Sequence, residues 1–313
     1  MILSASRRTD IPAFFGEWFI NRLHAGELLV RNPMNFNHIS KIKLAPESVE
    51  CIAFWTKNPE PFLKYLKDMD NLGYKYYFLF TLNPYNKTLE VGVDDKENII
   101  NTFKQLAEQV SPKKVIWRYD PIILTDIFDK EYHFKAFEYL AKQLHPFTER
   151  CTISFLDFYK KIDKITKSIN ASPPDITLVN EIAEKFSSIA NKYSLQLFCC
   201  SEKIDLDIYG IQRSKCIDNT LISEIVGHPV TSRKDQTQRK ECGCVESKDI
   251  GSYNTCAHNC IYCYANSTPQ SVVKNCLKYD PLSPMLCDSI RGDEKIVEYK
   301  ERKFKLIPQD SLF

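Results

Sequence analysis

Cys256, Cys260 and Cys263 form a C-x3-C-x2-C array inside YNTCAHNCIYCYAN, with Tyr262 directly before the last cysteine. Three thiolates at this spacing can converge on one inorganic centre. A four-iron cube held by three cysteines keeps one iron open to a ligand, whereas structural zinc closes on four protein ligands, usually supplied as two C-x2–4-C pairs. The array therefore predicts a [4Fe–4S] cluster that works on a ligand. Four further cysteines, Cys200, Cys216, Cys242 and Cys244, suffice for a second [4Fe–4S] cluster or a zinc site. The C-x-C spacing of Cys242 and Cys244 is unusual for structural zinc, so the second cluster is the preferred reading. Cys199 should face the core, because adjacent strand residues point to opposite faces. Cys51 and Cys151 lie in apolar segments and read as core residues, and Cys276 and Cys287 as structural ones. His258, within the array, reads as a turn residue or hydrogen-bond donor ahead of a proton carrier.

These cysteines need a scaffold. Over residues 1–200, short apolar runs alternate with longer amphipathic stretches, the pattern of βα units around a parallel sheet. Strands are expected at Ile2–Ala5, Cys51–Thr56, Lys75–Thr81, Lys114–Arg118, Cys151–Phe155 and Leu195–Cys200. Helices are expected at Pro12–Ala25, Pro59–Leu72, Lys96–Gln109, Lys130–Leu144 and Leu178–Tyr193. Asp10 is a candidate cap with Pro12 in the first turn, and Asn58 precedes Pro59 in the same way. About six βα units make an α/β fold with a parallel, partial TIM-like barrel; a doubly wound open sheet is the alternative, since periodicity does not report closure. Residues 201–265 lose the βα rhythm and read as an irregular, cluster-carrying extension over one end of the barrel, followed by a polar tail at 266–313.

In parallel α/β folds ligands sit at the C-terminal ends of the strands. Here those ends carry Ser6-Arg7-Arg8-Thr9-Asp10, Thr56-Lys57-Asn58, Thr81, Arg118-Tyr119-Asp120, Ser154 with Asp157, and Ser201-Glu202. Any one of them reads as well as a helix cap or rim ion pair. Polarity at every strand end points instead to a polar pocket. Lys57, Arg118, Asp120 and Glu202 are the expected catalytic or substrate contacts, and Arg7 and Arg8 the expected cofactor contacts.

The 42 basic and 40 acidic side chains nearly cancel, so no global field argues for nucleic acid or an anionic membrane, and a local basic groove is left open. No apolar run approaches the roughly 20 residues of a membrane span, and MILSASRRTDIP is the reverse of a secretory signal. A cytoplasmic location is expected. Twelve cysteines there should not form a disulfide framework.

The cysteine array resembles the radical S-adenosylmethionine signature. Tyr253 through Ala265 is similar to the corresponding loop of the spore photoproduct lyase branch, and FWTKNP at Phe54–Pro59 to a strand-end segment of that branch. The order differs: in that superfamily the loop follows the first strand, whereas here it follows every βα unit. With SRRTDIP, FWTKNP, WRYDPI and the late cysteine loop, the chain as a whole resembles the DUF1848 family, which implies a permuted or rearranged barrel and no established reaction. The resemblance implies that Cys256, Cys260 and Cys263 hold the cluster, that its free iron chelates S-adenosylmethionine, and that Tyr262 lies near the adenine. One electron would then cleave the sulfonium and yield a 5′-deoxyadenosyl radical, with a reductant such as ferredoxin or flavodoxin as partner. The Gly-Gly-Glu type segment that commonly holds the methionyl amine has no counterpart, as the chain has no Gly-Gly pair. Another strand end must take that role. An electron-relay protein and a zinc- or cluster-stabilised nucleic-acid module remain the alternatives. The closing Gln309-Asp310-Ser311-Leu312-Phe313 resembles a sliding-clamp docking peptide, with DNA and the clamp as partners, or is a tail docked on its own domain; with the loop's likeness to a DNA-lesion lyase it makes nucleic acid the leading substrate class.

Overall fold

The computed structural model describes residues 1–158, 162–202, 204–231 and 233–300. The clamp-like peptide at 309–313 lies outside the described residues. Strands β1 (Ile2–Ala5), β4 (Cys51–Thr56), β5 (Tyr76–Thr81), β6 (Val115–Ile122), β7 (Arg150–Phe155) and β8 (Gln196–Cys199) follow the expected positions. Two short strands, β9 (Gln212–Arg213) and β10 (Lys248–Asp249), complete an eight-stranded sheet in the order β10-β1-β4-β5-β6-β7-β8-β9. Every neighbouring pair is parallel. Strand order runs with sequence from β1 to β9 and never reverses, so the doubly wound alternative does not hold. Among the described residues no pairing joins β9 to β10, and the sheet is an open one rather than a closed barrel.

Alternate residues divide the two faces. Leu3, Ile52, Phe54, Tyr76, Phe78 and Phe80 face a large core shared with the helices. Ile2, Cys51, Ala53, Tyr77, Leu79 and Ile116 face the other way, against Ile217, Leu221, Val245, Cys216, Cys242 and Cys244. The cysteine-rich segment thus does more than lie over one end of the sheet, the place its irregular sequence suggested. It plugs the inner face through α8 (Asn219–Val226), and it supplies both edge strands.

On the outer face α4 (Lys96–Val110), α5 (Lys130–Leu144) and α7 (Ile176–Lys192) lie close to their expected bounds. The expected Pro12–Ala25 helix instead breaks at Phe15 into α1 (Ile11–Phe14) and α2 (Gly16–Ala25), where Gly16 lets the backbone approach Phe62: a Cβ would stand 2.9 Å from that ring. The expected Pro59–Leu72 helix instead begins as a 3-10 turn over Glu60–Tyr65, with Pro61 in its first turn, and becomes α-helical only over α3 (Leu66–Asn71). A hairpin of β2 (Glu27–Asn32) and β3 (Asn35–Lys43) is inserted before β4, and β11 (Lys295–Glu298) pairs parallel with β3. The polar segment after residue 265 is docked here: Trp18 Nε1 donates to Ser283 O at 2.9 Å, and Arg31 pairs with Asp288 and Glu294.

His133 on α5 is fully buried. Its Nε2 lies 3.0 Å from Ile123 O, which can only accept, so Nε2 carries the proton and Nδ1 accepts from the Tyr119 hydroxyl at 2.7 Å. Burial lowers its pKa from 6.5 to about 4. The unfolded chain therefore takes up this proton near pH 6.5 while the folded chain resists. Stability from this group is complete above that pH and is lost as pH falls towards 4, by about 3 kcal/mol in all. Denaturant melts across this window should show a shallower pH dependence for His133→Gln than for the unmodified protein; parallel curves would refute the assignment.

Candidate active site

Strand β10 carries the chain directly into the cysteine loop. Asp249 ends the strand and binds the end of β1: it accepts from Ser4 Oγ (2.7 Å), Ser6 Oγ (2.8 Å), Arg7 N (2.8 Å) and Gly251 N (3.0 Å). The loop then folds back over β1 and the Leu89–Val93 segment. Gly92 N donates to His258 O at 2.8 Å and Ile261 N to Leu89 O at 3.0 Å. Only glycine fits at 92, where a Cβ would lie 2.6 Å from Ala257 O. Inside the loop, Asn266 Nδ2 donates to Cys256 O at 2.7 Å.

Asp10 joins three elements at this point. It caps α1 by accepting from Ala13 N (3.0 Å), and it also accepts from Lys57 N (2.7 Å) and His258 Nε2 (2.8 Å). The sequence offered it as a cap and as one of the strand-end polar residues, without these partners. His258 takes the donor role expected of it and is buried edge-on against Phe14.

The three loop cysteines lie close enough to act on one another. Burial, then the charges of Asp10, Cys263 and Cys260, raise the Cys256 pKa well above the ordinary thiol range; burial and neighbouring negative groups push Cys260 up to about 12. Such a trio resists losing its protons together unless a cation joins it, which is the chemistry of a cluster ligand set. Among the described residues no group of three His, Cys, Asp or Glu side chains is drawn tightly enough around one point to hold a single metal ion. A cube takes each cysteine at a different corner, so its ligands need not meet at a point as those of tetrahedral zinc do.

The four other cysteines also come together, although they arise from separate segments. Cys200 and Cys216 sulfurs are 3.8 Å apart, and Ile217 N donates to Cys244 Sγ at 3.4 Å. Hydrogen bonds from Cys216 and Cys242 lower the Cys244 pKa, with the Arg7 guanidinium adding to the effect; a hydrogen bond from Cys216, then Arg118, lowers that of Cys200 to about 6.

Both cysteine groups line one cavity of about 2180 Å³ at the C-terminal ends of the strands. Arg7 lies over the Trp55 ring at 4.9 Å, and Arg8 over Tyr253 at 5.3 Å with an ion pair to Asp249. Arg118 spans Cys216 and Asp120, and Asp120 accepts from Ser154 Oγ at 2.5 Å. Arg7, Arg8, Arg118, Asp120, Lys57 and Tyr262 all face the cavity. Glu202 does not: its carboxylate accepts from Phe155 N at 2.8 Å and extends the β7–β8 edge. Lys57 is no free contact either, since its Nζ binds Glu90 Oε1 (2.7 Å) and the Tyr262 hydroxyl (3.1 Å). The Tyr262 hydroxyl donates to Glu90, so its polar tip is turned into this network.

Glu90, Lys96, Asn83 and Asp249 went unrecognised in the sequence. Asn83, Glu90 and Asp249 sit in loops or at the end of a short strand with no hydrophobic period and no motif around them, and Lys96 opens α4 on its polar side, where the helical period says nothing of its partner. Among the described residues, five buried polar atoms of cavity-lining residues lack partners: Arg7 Nη2, Thr9 Oγ1, His38 Nδ1, His258 Nδ1 and Asn266 Oδ1. Buried polar atoms are rarely left unpaired. Such donors and acceptors suit a polar group bound in the cavity.

Such an arrangement defines a parallel α/β protein with a cysteine-lined cavity at its strand ends. The chain belongs to the DUF1848 family, a domain of unknown function, whose model matches residues 2–265. No curated protein sequence matches it. Among solved structures, a proposed alpha-L-fucosidase from Bacteroides thetaiotaomicron is similar with a TM-score of 0.27 and 12% identity, over 59% of this chain and 76% of that one. A likeness that weak carries no argument. No helix of the described residues is long and apolar enough to cross a membrane.

Proposed function

We propose that this protein is a radical S-adenosylmethionine-type enzyme whose [4Fe–4S] cluster is held by Cys256, Cys260 and Cys263. One observation carries the reading: the cysteine loop leaves β10, and β10 lies at the sheet edge beside β1. In space the loop therefore follows the first strand of the sheet, as in the superfamily its motif resembles, although it comes late in the sequence. The sequential order of the strands supports a permuted partial barrel.

Within this reading the cluster supplies reductive cleavage of S-adenosylmethionine to a 5′-deoxyadenosyl radical, taking its electron from a partner such as ferredoxin or flavodoxin. The chain's own residues position and shield. Arg7 Nη2 and the Thr9 hydroxyl offer donors to the methionyl carboxylate, and Asn266 Oδ1 an acceptor for its amine, in place of the missing glycine-rich segment. Arg118 and Asp120 also line the cavity and would face a substrate there. Cys200, Cys216, Cys242 and Cys244 would hold a second centre, a cube or a zinc ion, that pins the plug on the inner face. The loop's likeness and the closing peptide both favour nucleic acid as the substrate class.

Anaerobic purification provides the test. About four or eight irons per chain and a visible iron–sulfur band, followed by release of methionine and 5′-deoxyadenosine on reduction with dithionite, is the expected result. Iron with intact S-adenosylmethionine would make the protein an electron relay, and zinc without iron a structural module.

A further inference from the structure

We propose that Lys57, with Glu90 and Lys96, forms a buried charge triad that sets the reduction potential of the centre held by Cys256, Cys260 and Cys263. The inference rests on the cluster reading above and adds a positioning role that the cysteine motif does not contain.

Geometry supports it first. Lys57 follows the last residue of β4, and its backbone N is fixed by Asp10. Its ammonium is held by Glu90 and the Tyr262 hydroxyl and sits 5.6 Å from the centre of the Tyr262 ring. Glu90, only 1% exposed, is bound on its other oxygen by Lys96 Nζ at 2.5 Å, and its backbone bridges Cys260. Two ammonium groups thus share one carboxylate, a net charge of +1. Lys57 is 16% exposed and Lys96 27%, so solvent screens the triad poorly.

Electrostatics points the same way. Each ammonium lies within hydrogen-bonding distance of its own oxygen of Glu90, so one buried carboxylate is bridged by two cations. Reduction places one more electron on the centre, taken from an external one-electron donor, with no protein bond made or broken. A nearby positive charge favours that reduced state, and a negative one opposes it. Charge and burial around a cluster are established levers on its potential.

A salt bridge that merely held the loop would behave differently, because damage from either partner would move the potential in the same direction. The test is a dithionite titration of the reconstituted full-length protein, followed by the visible band and by electron paramagnetic resonance. Lys57→Gln should shift the reduction equilibrium at least tenfold towards the oxidised form, ~59 mV for one electron. Glu90→Gln should shift it by a similar factor the other way, and Lys57→Arg should stay within about twofold of the parent. If Glu90→Gln does not fold, Lys57→Arg decides, because it alters the shape of the side chain and keeps its charge: a shift as large as that of Lys57→Gln overturns the proposal. Shifts of the same sign for Lys57→Gln and Glu90→Gln, or none beyond twofold, overturn the proposal. Absence of iron from the unmodified protein would instead sink the cluster reading beneath it.

Discussion

Cys260→Ala protein, purified without oxygen, should carry about four fewer irons per chain than its parent and release 5′-deoxyadenosine only at background level. Its fold should survive. Cys260 is half-buried on a surface loop and lies at the margin of the core, so truncation should cost no more than about 1 kcal/mol and lower the melting temperature by only a few degrees, about 2–4 °C in a chain of this size. Cys256→Ala and Cys263→Ala should behave alike. Cys244→Ala should do something else, because Cys244 lies in the plug beneath the inner face and packs with Cys216, Ile217 and Val245. It should keep the loop iron, lose whatever the second group binds, and cost at least about 2 kcal/mol. Iron counting and melting curves on the same preparations separate the two patterns. Equal iron loss across all these variants would show a single shared centre and end the two-site division.

That division shows what the sequence could and could not disclose. The strands and the long helices were legible because their patterns are local. Tyr76–Thr81 is apolar on both faces, as a strand covered on both sides must be, and Leu178, Ile182, Phe186 and Ile189 repeat at helical spacing. The three loop cysteines were legible because eight residues hold the whole motif. Long-range geometry was not. Nothing local to Lys248–Asp249 says that two residues will pair with β1 and restore the cysteine loop to the edge of the sheet. Glu202 looked equivalent to Asp120 because both follow strands, yet one turns to a backbone N–H and the other into the cavity. Periodicity places a residue on a strand end and is silent on which partner takes its side chain. The plug was invisible for a related reason: Ile217, Leu221 and Val245 are too scattered to make a period, and they become a core only against Tyr77 and Leu79.

Asp249→Asn should destabilise the protein by about 2–4 kcal/mol although it changes neither size nor shape. Each carboxylate oxygen accepts one backbone N–H and one serine hydroxyl: Oδ2 takes Arg7 N and Ser4 Oγ, and Oδ1 takes Gly251 N and Ser6 Oγ. A serine hydroxyl can rotate to accept from an amide NH2, but a backbone N–H cannot. Whichever way an asparagine turns, one backbone donor meets another donor, and the bond to Arg8 loses its charge. Asp249→Ala should cost more, about 3–5 kcal/mol, by leaving Arg8 without its carboxylate. Chemical denaturation measures both, and an asparagine variant within about 0.5 kcal/mol of the parent would contradict the account. The consequence reaches the proposed cluster site, because β10 holds β1 through only two paired residues. So short a ladder cannot anchor a loop by itself, and the carboxylate completes the attachment. Gly251 shows how close that attachment is: a Cβ there would stand 2.0 Å from Ser6 Oγ. Loosening Asp249 should therefore lower iron retention in proportion to stability, whereas the Cys260 variant loses iron with its stability nearly intact. Plotting one loss against the other for the two variants separates a ligand from its support.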